Sequence, residues 1–169
     1  PSSVPDRAAV LDTWRALVEL RQAGLARSLG TVNFGAGHLA WIIGDGRRRR
    51  PQLRDDPAAN VSAVCVNKVE YHLGHLDEEL LQYCGRQNVT LLAAAGPFHY
   101  PAPPDSAPAL RAAASAHGVG VEQVRRRYQV QRGVPVVLGT REEATYASLL
   151  KPLFDFALTA AEMAALAAL

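Results

Sequence analysis

Side chains able to move protons or hold charge gather at a few places in this chain. Glu70 and His72 stand two apart in VNKVEYH (Val66–His72). A carboxylate beside an imidazole is a candidate acid–base pair. The same two residues also serve as loop hydrogen-bonders. That reading is favoured, because catalysis needs further partners the sequence does not identify. His75 and His99 lack ligand spacing with any Cys or Asp, so no metal site is expected. Cys65 falls in a strand-like run and Cys84 in a helix-like one, which makes two buried thiols rather than a disulfide and fits a reducing compartment. Arg47, Arg48, Arg49 and Arg50 form the most pronounced charge run. It could dock phosphate, RNA or an acidic partner surface. Asp45, Asp55 and Asp56 partly neutralise it and no aromatic interleaves, so a solvated loop is slightly preferred.

These residues need elements to position them. Val61–Val66 is a short β-branched run and predicts a buried strand, with Asn67–Gly74 as the loop leaving it. Asp77–Gln87 predicts a helix, with Glu78 and Glu79 in its first turn where the macrodipole favours them. Val89–Ala95 predicts a second strand, closed by Gly96-Pro97. Linkers this short allow a right-handed parallel crossover. Upstream, Arg7–Ala23 is an amphipathic helix with Gly24 at C′, Leu29–Asn33 a short strand, and His38–Ile43 a short helix. Gly44–Asn60 reads as a polar Gly/Pro loop, and His99–Pro108 as a proline-rich exposed loop. Helices are expected at Ala109–His117, Val121–Gln131, Glu142–Leu150 and Thr159–Leu169, the last with Thr159 as N-cap and Glu162 closing a capping box. Val134–Leu138 predicts a fourth strand. Strands alternating with helices argue for a parallel sheet with helical cover, either doubly wound or part of a (β/α)8 barrel.

Composition sets outer limits. A chain of 169 residues is one domain or part of one, and 49% hydrophobic with 20% charged residues is globular. A formal net charge of +2 does not by itself imply a nucleic-acid partner. No apolar stretch approaches the ~20 residues that span a bilayer. PSSVPDRAA has no secretory pattern, so an intracellular location is expected. The first residue is proline rather than methionine, which leaves room for residues upstream.

Longer stretches resemble a known family, the aldo-keto reductases. LDTWRALVELRQAGLARSLGTVNF (Leu11–Phe34) is similar to that family's helix and fifth barrel strand, L-D-T-W…L…G-L-V-K-A-L-G-V-S-N-F. VNKVEYH resembles its sixth-strand motif V-N-Q-V-E-x-H, and ELLQYCGRQNVTLLAAAGPF its sixth helix and seventh strand. EQVRRRYQVQRGVPVVLGTR resembles A-Q-V-A-L-R-W-x-x-Q-R-G-V…P-K-S, and FDFALTAAEMAAL the C-terminal F-D-F-x-L-S-x-E-E-M. The similarity is collinear over nearly the whole chain. It implies a partial (β/α)8 barrel, strands five to eight, where a full barrel takes ~250 residues. The family's catalytic Asp, Tyr, Lys and His belong to the first four strands, so no catalytic residue is assigned here.

The resemblance also implies a cofactor side, from which the chain departs. Asn33 keeps one half of a Ser-Asn pair that binds the nicotinamide amide, and Val32 replaces the Ser. Lys68 stands where the family has a glutamine, and Ala94 where a tyrosine stacks on the ring. Thr140 and Arg141 occupy the place of the adenosine-phosphate residues, followed by Glu142 and Glu143. Each lost polar contact costs roughly 1 kcal/mol or more of binding. The expectation is therefore a non-catalytic subunit with a structural or protein-interaction role and no cofactor. The alternative is the C-terminal half of an NADPH-dependent carbonyl reductase; an RNA-contacting subunit using Arg47–Arg50 is third. Arg125 and Arg126 stand where the family has Ala and Leu, so Arg126 must meet a carboxylate, or the helix has turned, or this face is no longer a closed wall. Four parallel strands covered on one side leave an open apolar face and two edges, on Leu29–Asn33 and Val134–Leu138. Other protein chains are expected to cover them.

Overall fold

The structure, a computed structural model, describes residues 6–49, 64–94, 101–138, 147–148 and 152–169. The chain forms two compact units, Pro1–Lys68 with Glu78–Leu91, and Val69–Asp77 with Leu92–Leu169.

In the first unit, α1 (Arg7–Gln22) begins at Asp6, whose carboxylate accepts from the Ala8 N–H at 3.0 Å. It ends at Gly24, which takes the left-handed φ of +78° anticipated for a C′ residue. Next comes β1 (Leu29–Val32), then α2 (Ala36–Arg49). The sequence predicts α2 only to Ile43, with Gly44 opening a loop. Instead, helix runs on through Gly44 and Gly46 to Arg47, Arg48 and Arg49, three of the four arginines expected in that loop. Arg15 of α1 explains this: its guanidinium grips the buried Asp45 through Nε (3.1 Å) and Nη2 (2.9 Å). That paired bond fixes α2 across two glycines whose own propensity opposes helix. Asp45 also holds the Arg15 guanidinium above its ordinary pKa.

β2 (Val64–Glu70) is the second correction. The strand continues four residues past Val66, so Asn67 and Lys68 are strand residues rather than loop. Parallel pairing with β1 carries it on, matching Thr31 with Asn67 and Val32 with Lys68. Residues 61–63 lie outside the described residues. α3 (Glu78–Arg86) and β3 (Thr90–Ala94) follow as the sequence predicts, with shifts at their ends. The strand order is β1-β2-β3. The core of this unit includes Trp14, Leu39, Ile42, Val64, Leu80 and Cys84.

In the second unit, α4 (Pro108–His117) has Pro108 in its first turn and stops at Gly118, φ +64°. α5 (Val121–Gln131) follows. α6 (Ala160–Ala167) carries the anticipated capping box: the Thr159 hydroxyl accepts from Glu162 N–H, and the Glu162 carboxylate accepts from Thr159 N–H at 2.7 Å. A core of Leu73, Leu110, Ala113, Val124, Tyr128 and Leu166 packs these helices together. The predicted fourth strand, Val134–Leu138, reduces to one parallel bridge, Ala93↔Val136. Pro135 has no N–H to extend a ladder. Of the helix predicted at Glu142–Leu150, only Ala147 and Ser148 lie among the described residues, and both are helical.

Candidate functional site

Parallel strands bring their C-terminal ends to one face, where folds of this kind place binding residues. In the first unit that end is built around Asn67, which is fully buried. Its Oδ1 accepts from the Thr31 hydroxyl at 2.8 Å and from the Phe34 N–H at 3.4 Å, and its Nδ2 donates to the Phe34 carbonyl at 2.7 Å. The amide thus ties β2 to both sides of the turn that ends β1. Between those anchors Asn33 takes φ +58°, a conformation asparagine tolerates, and its N–H donates to the Lys68 carbonyl at 2.8 Å. Asn33 and Lys68, both predicted for the cofactor side, therefore meet at one strand end. Asn33 is exposed, Lys68 half-buried, and Val32 is 60% exposed beside them.

The other predicted residues divide. Ala94 ends β3 and is buried. Thr140, Arg141 and Arg50 lie outside the described residues. The backbones of Arg47, Arg48 and Arg49 belong to α2, which corrects the reading of an Arg-rich loop. Over these three residues the expected loop is a helix end, because the Arg15–Asp45 pair carries the helix past the glycines that were expected to stop it.

In the second unit, Glu70 and His72 close on each other. Nε2 of His72 lies 3.0 Å from Glu70 Oε1, and Nδ1 lies 2.7 Å from the Leu73 carbonyl. Both residues are buried. With both ring nitrogens engaged by protein oxygens, the pair serves as a hydrogen-bonded clamp, the reading favoured from sequence. His72 and His75 also exchange backbone hydrogen bonds. Arg126 does meet a carboxylate, Glu122 one turn earlier, and reaches Gln129 Oε1 at 3.5 Å. Among the described residues its buried Nε has no hydrogen-bond partner. Arg125 binds Asp105 (2.9 Å) and the Pro103 carbonyl (2.6 Å), fastening the proline-rich loop to α5.

Asn67, whose bonds hold this strand end together, is the residue that sequence reasoning missed by placing it in the loop after Val66. Its signal was present: an asparagine inside a β-branched run, with a threonine at the matching place in the preceding strand. Among the described residues no group of three or more His, Cys, Asp or Glu could hold a metal. No described helix is long and apolar enough to cross a membrane.

Parallel strands alternating with helices, with polar residues at the strand C-termini, define an α/β protein built as part of a (β/α)8 barrel. The family model described as "Aldo/keto reductase family" matches residues 2–169, and the chain belongs to that family. It is 28% identical to aldo-keto reductase AKR2E4 of Bombyx mori, over 98% of this chain and 52% of that protein. It is 31% identical to aldo-keto reductase family 1 member C15 of Rattus norvegicus, over 94% of this chain and 48% of that one. The crystal structure of the Bombyx mori enzyme in complex with NADP superposes with a TM-score of 0.72 at 26% identity, covering 94% of this chain and 49% of that one. MGS-M4, an aldo-keto reductase enzyme from a deep-sea metagenome library, shares the fold with a TM-score of 0.77 at 21% identity, over 98% and 56% of the two chains. The chain thus spans about half the length of the curated relatives it matches.

Proposed function

We propose that this chain is the C-terminal half of an NADPH-dependent aldehyde or ketone reductase and works once the other half of its barrel is supplied. One observation carries the reading. The Asn33–Lys68 backbone bond, beside the buried Asn67, brings an exposed asparagine and a half-buried lysine together at the strand ends. A rim of this kind can hold the polar end of a nicotinamide. The relative solved with NADP supports the assignment. The fit is in the polar donors Asn33 and Lys68, which would hold the carboxamide; Thr140 and Arg141, outside the described residues, are the candidates the resemblance implies for the adenosine phosphate. Bound NADPH would supply hydride to a carbonyl. Asn33 would orient the ring through hydrogen bonds to the carboxamide, and exposed Val32 would exclude water beside it. Ala94 offers no ring on which to stack, so a weak cofactor site is expected. The proton donor would come from the other half. Two unbridged thiols, Cys65 and Cys84, are in keeping with a reducing, intracellular setting.

A second reading has its own support. Val32, Lys68 and Ala94 together remove three contacts that the family resemblance implies, and that pattern suits a non-catalytic, protein-binding subunit. NADPH fluorescence titration of the assembled barrel separates the two. The reductase reading expects saturable quenching, tightened about fivefold by Lys68→Gln, the equivalent of one recovered polar contact. No fluorescence change in the intact assembly would leave the non-catalytic subunit.

A further inference from the structure

We infer that the cavity beside Arg125 and Arg126 is a binding site for a small organic carboxylate, whose head group takes the place now held by Glu122. All of its residues belong to the second unit, and it does not depend on the reductase reading. The cavity, of about 230 Å³, opens where α5 meets the chain around Leu73 and Pro103. Arg126 lines it and is only 9% exposed. A guanidinium carries five N–H donors. Those of Arg126 are poorly served: Nη2 pairs with Glu122 Oε1, Nη1 reaches Gln129 Oε1 at 3.5 Å, and the buried Nε has no partner among the described residues. A buried cation short of acceptors is unfavourable, and a further acceptor would relieve it.

Glu122 shows which chemistry fits. Its two oxygens are split between two arginines, Oε1 on Arg126 and Oε2 at 3.5 Å from Nε of Arg125. Tethered to the same helix, it gives neither guanidinium both oxygens at once. A free carboxylate can lie in plane with the Nε–Nη2 edge of Arg126 and accept from both donors in parallel, which is the stronger arrangement. Glu122 can give way. Its side chain is 47% exposed, and an ion pair one helical turn apart with so exposed a partner is worth little. Once it turns to water, the formal charges left around the cavity are those of Arg125, Arg126 and Asp105, one positive charge in excess. His72 adds no free donor, since Nε2 meets Glu70 and Nδ1 meets the Leu73 carbonyl. A single negative charge therefore balances the site. Leu73, Ala102 and Pro103 line the remainder, which suits a short apolar tail. Arg125 holds the Pro103 carbonyl and Asp105, so the wall that receives the tail is already fixed.

The test titrates sodium butyrate into the full chain, read by calorimetry and by NMR of the arginine Nε–H groups. Saturable binding is expected, with the Arg126 Nε–H signal moving downfield as it gains an acceptor. Glu122→Gln, which removes the charge of the internal competitor, is expected to tighten binding about fivefold. Arg126→Leu, which restores the residue that the family resemblance implies, is expected to abolish binding. Butyramide, the same tail without the charge, is expected not to bind. Should Arg126→Leu fail to fold, the Arg126 Nε–H signal of the unaltered chain decides by itself. No saturation in wild type and Glu122→Gln alike would overturn the proposal. So would binding that Arg126→Leu leaves intact, binding that moves no Arg126 Nε–H signal, or butyramide binding as tightly as butyrate. Inorganic phosphate displacing butyrate at a lower concentration than butyrate itself requires would overturn the assignment to a carboxylate.

Discussion

Replacing Asn67 with alanine tests the physical argument behind the candidate site. The change removes three hydrogen bonds without altering a surface charge. It leaves the Thr31 hydroxyl, on a residue 7% exposed, without its acceptor. It also strips the half-buried Phe34 carbonyl of its donor. A buried polar group left unpaired costs about 1–3 kcal/mol, and a half-buried group recovers part of that from water. Taking about 1–2 kcal/mol for Thr31 and about 1 for Phe34 gives a loss of about 2–3 kcal/mol. Trp14 and Trp41 both belong to the first unit, so tryptophan fluorescence in urea reports its unfolding. With a slope of about 1–3 kcal/mol per molar urea, the midpoint should fall by about 0.7–3 M at unchanged slope. Asn67→Asp should recover little, because a carboxylate keeps the acceptor for Thr31 but faces the Phe34 carbonyl with no donor. A midpoint within about 0.2 M of wild type for Asn67→Ala, at the same slope, would show that the strand ends hold without this amide and would refute the reasoning.

Three further substitutions have defined outcomes. A Cβ at Gly30 would press on the Val66 side chain and stand 2.9 Å from the Val66 carbonyl oxygen, so Gly30→Ala is expected to cost about 1–3 kcal/mol in the same urea assay. Glu162 is held below the usual carboxylate pKa, first by the Thr159 backbone N–H and then by His117. The folded state therefore takes up this proton less readily than the unfolded chain. The contribution is fully present above the ordinary carboxylate value and fades as pH falls through the lowered one. Thermal melts from about pH 6 to about pH 3 should show a shallower loss of Tm for Thr159→Ala and His117→Gln than for wild type. Thr159→Ala should also cost about 1 kcal/mol at neutral pH through the lost cap.

Much of the fold could be read from local signals. Gly24 and the Thr159–Glu162 box each act within one helical turn of themselves and sit where the sequence placed them, whereas Pro108, expected in the loop, opens α4. Asn33 and Lys68 were named from the family resemblance, and the structure joins them by a backbone hydrogen bond at one strand end. The favoured reading of Glu70 and His72 as hydrogen-bonders was legible too, since two residues so close in chain need no distant partner. The helical state of Arg47, Arg48 and Arg49 was not, because glycine and proline around them argue locally for a loop. Nor was the choice between a catalytic half and a non-catalytic subunit, because local sequence does not say what the strand-end residues bind.

Sequence alone determined the order of the helices and of the first three strands, because periodicity, caps and turns are short-range properties, and its collinear motifs carried the resemblance to the family. Tertiary structure decided where α2 and β2 stop, since Arg15 reaches Asp45 across 30 residues and Thr31 reaches Asn67 across 36. A side chain's local propensity says nothing of a partner that far away. Only the folded neighbourhood makes a buried asparagine a strand residue and a glycine-rich tract a helix.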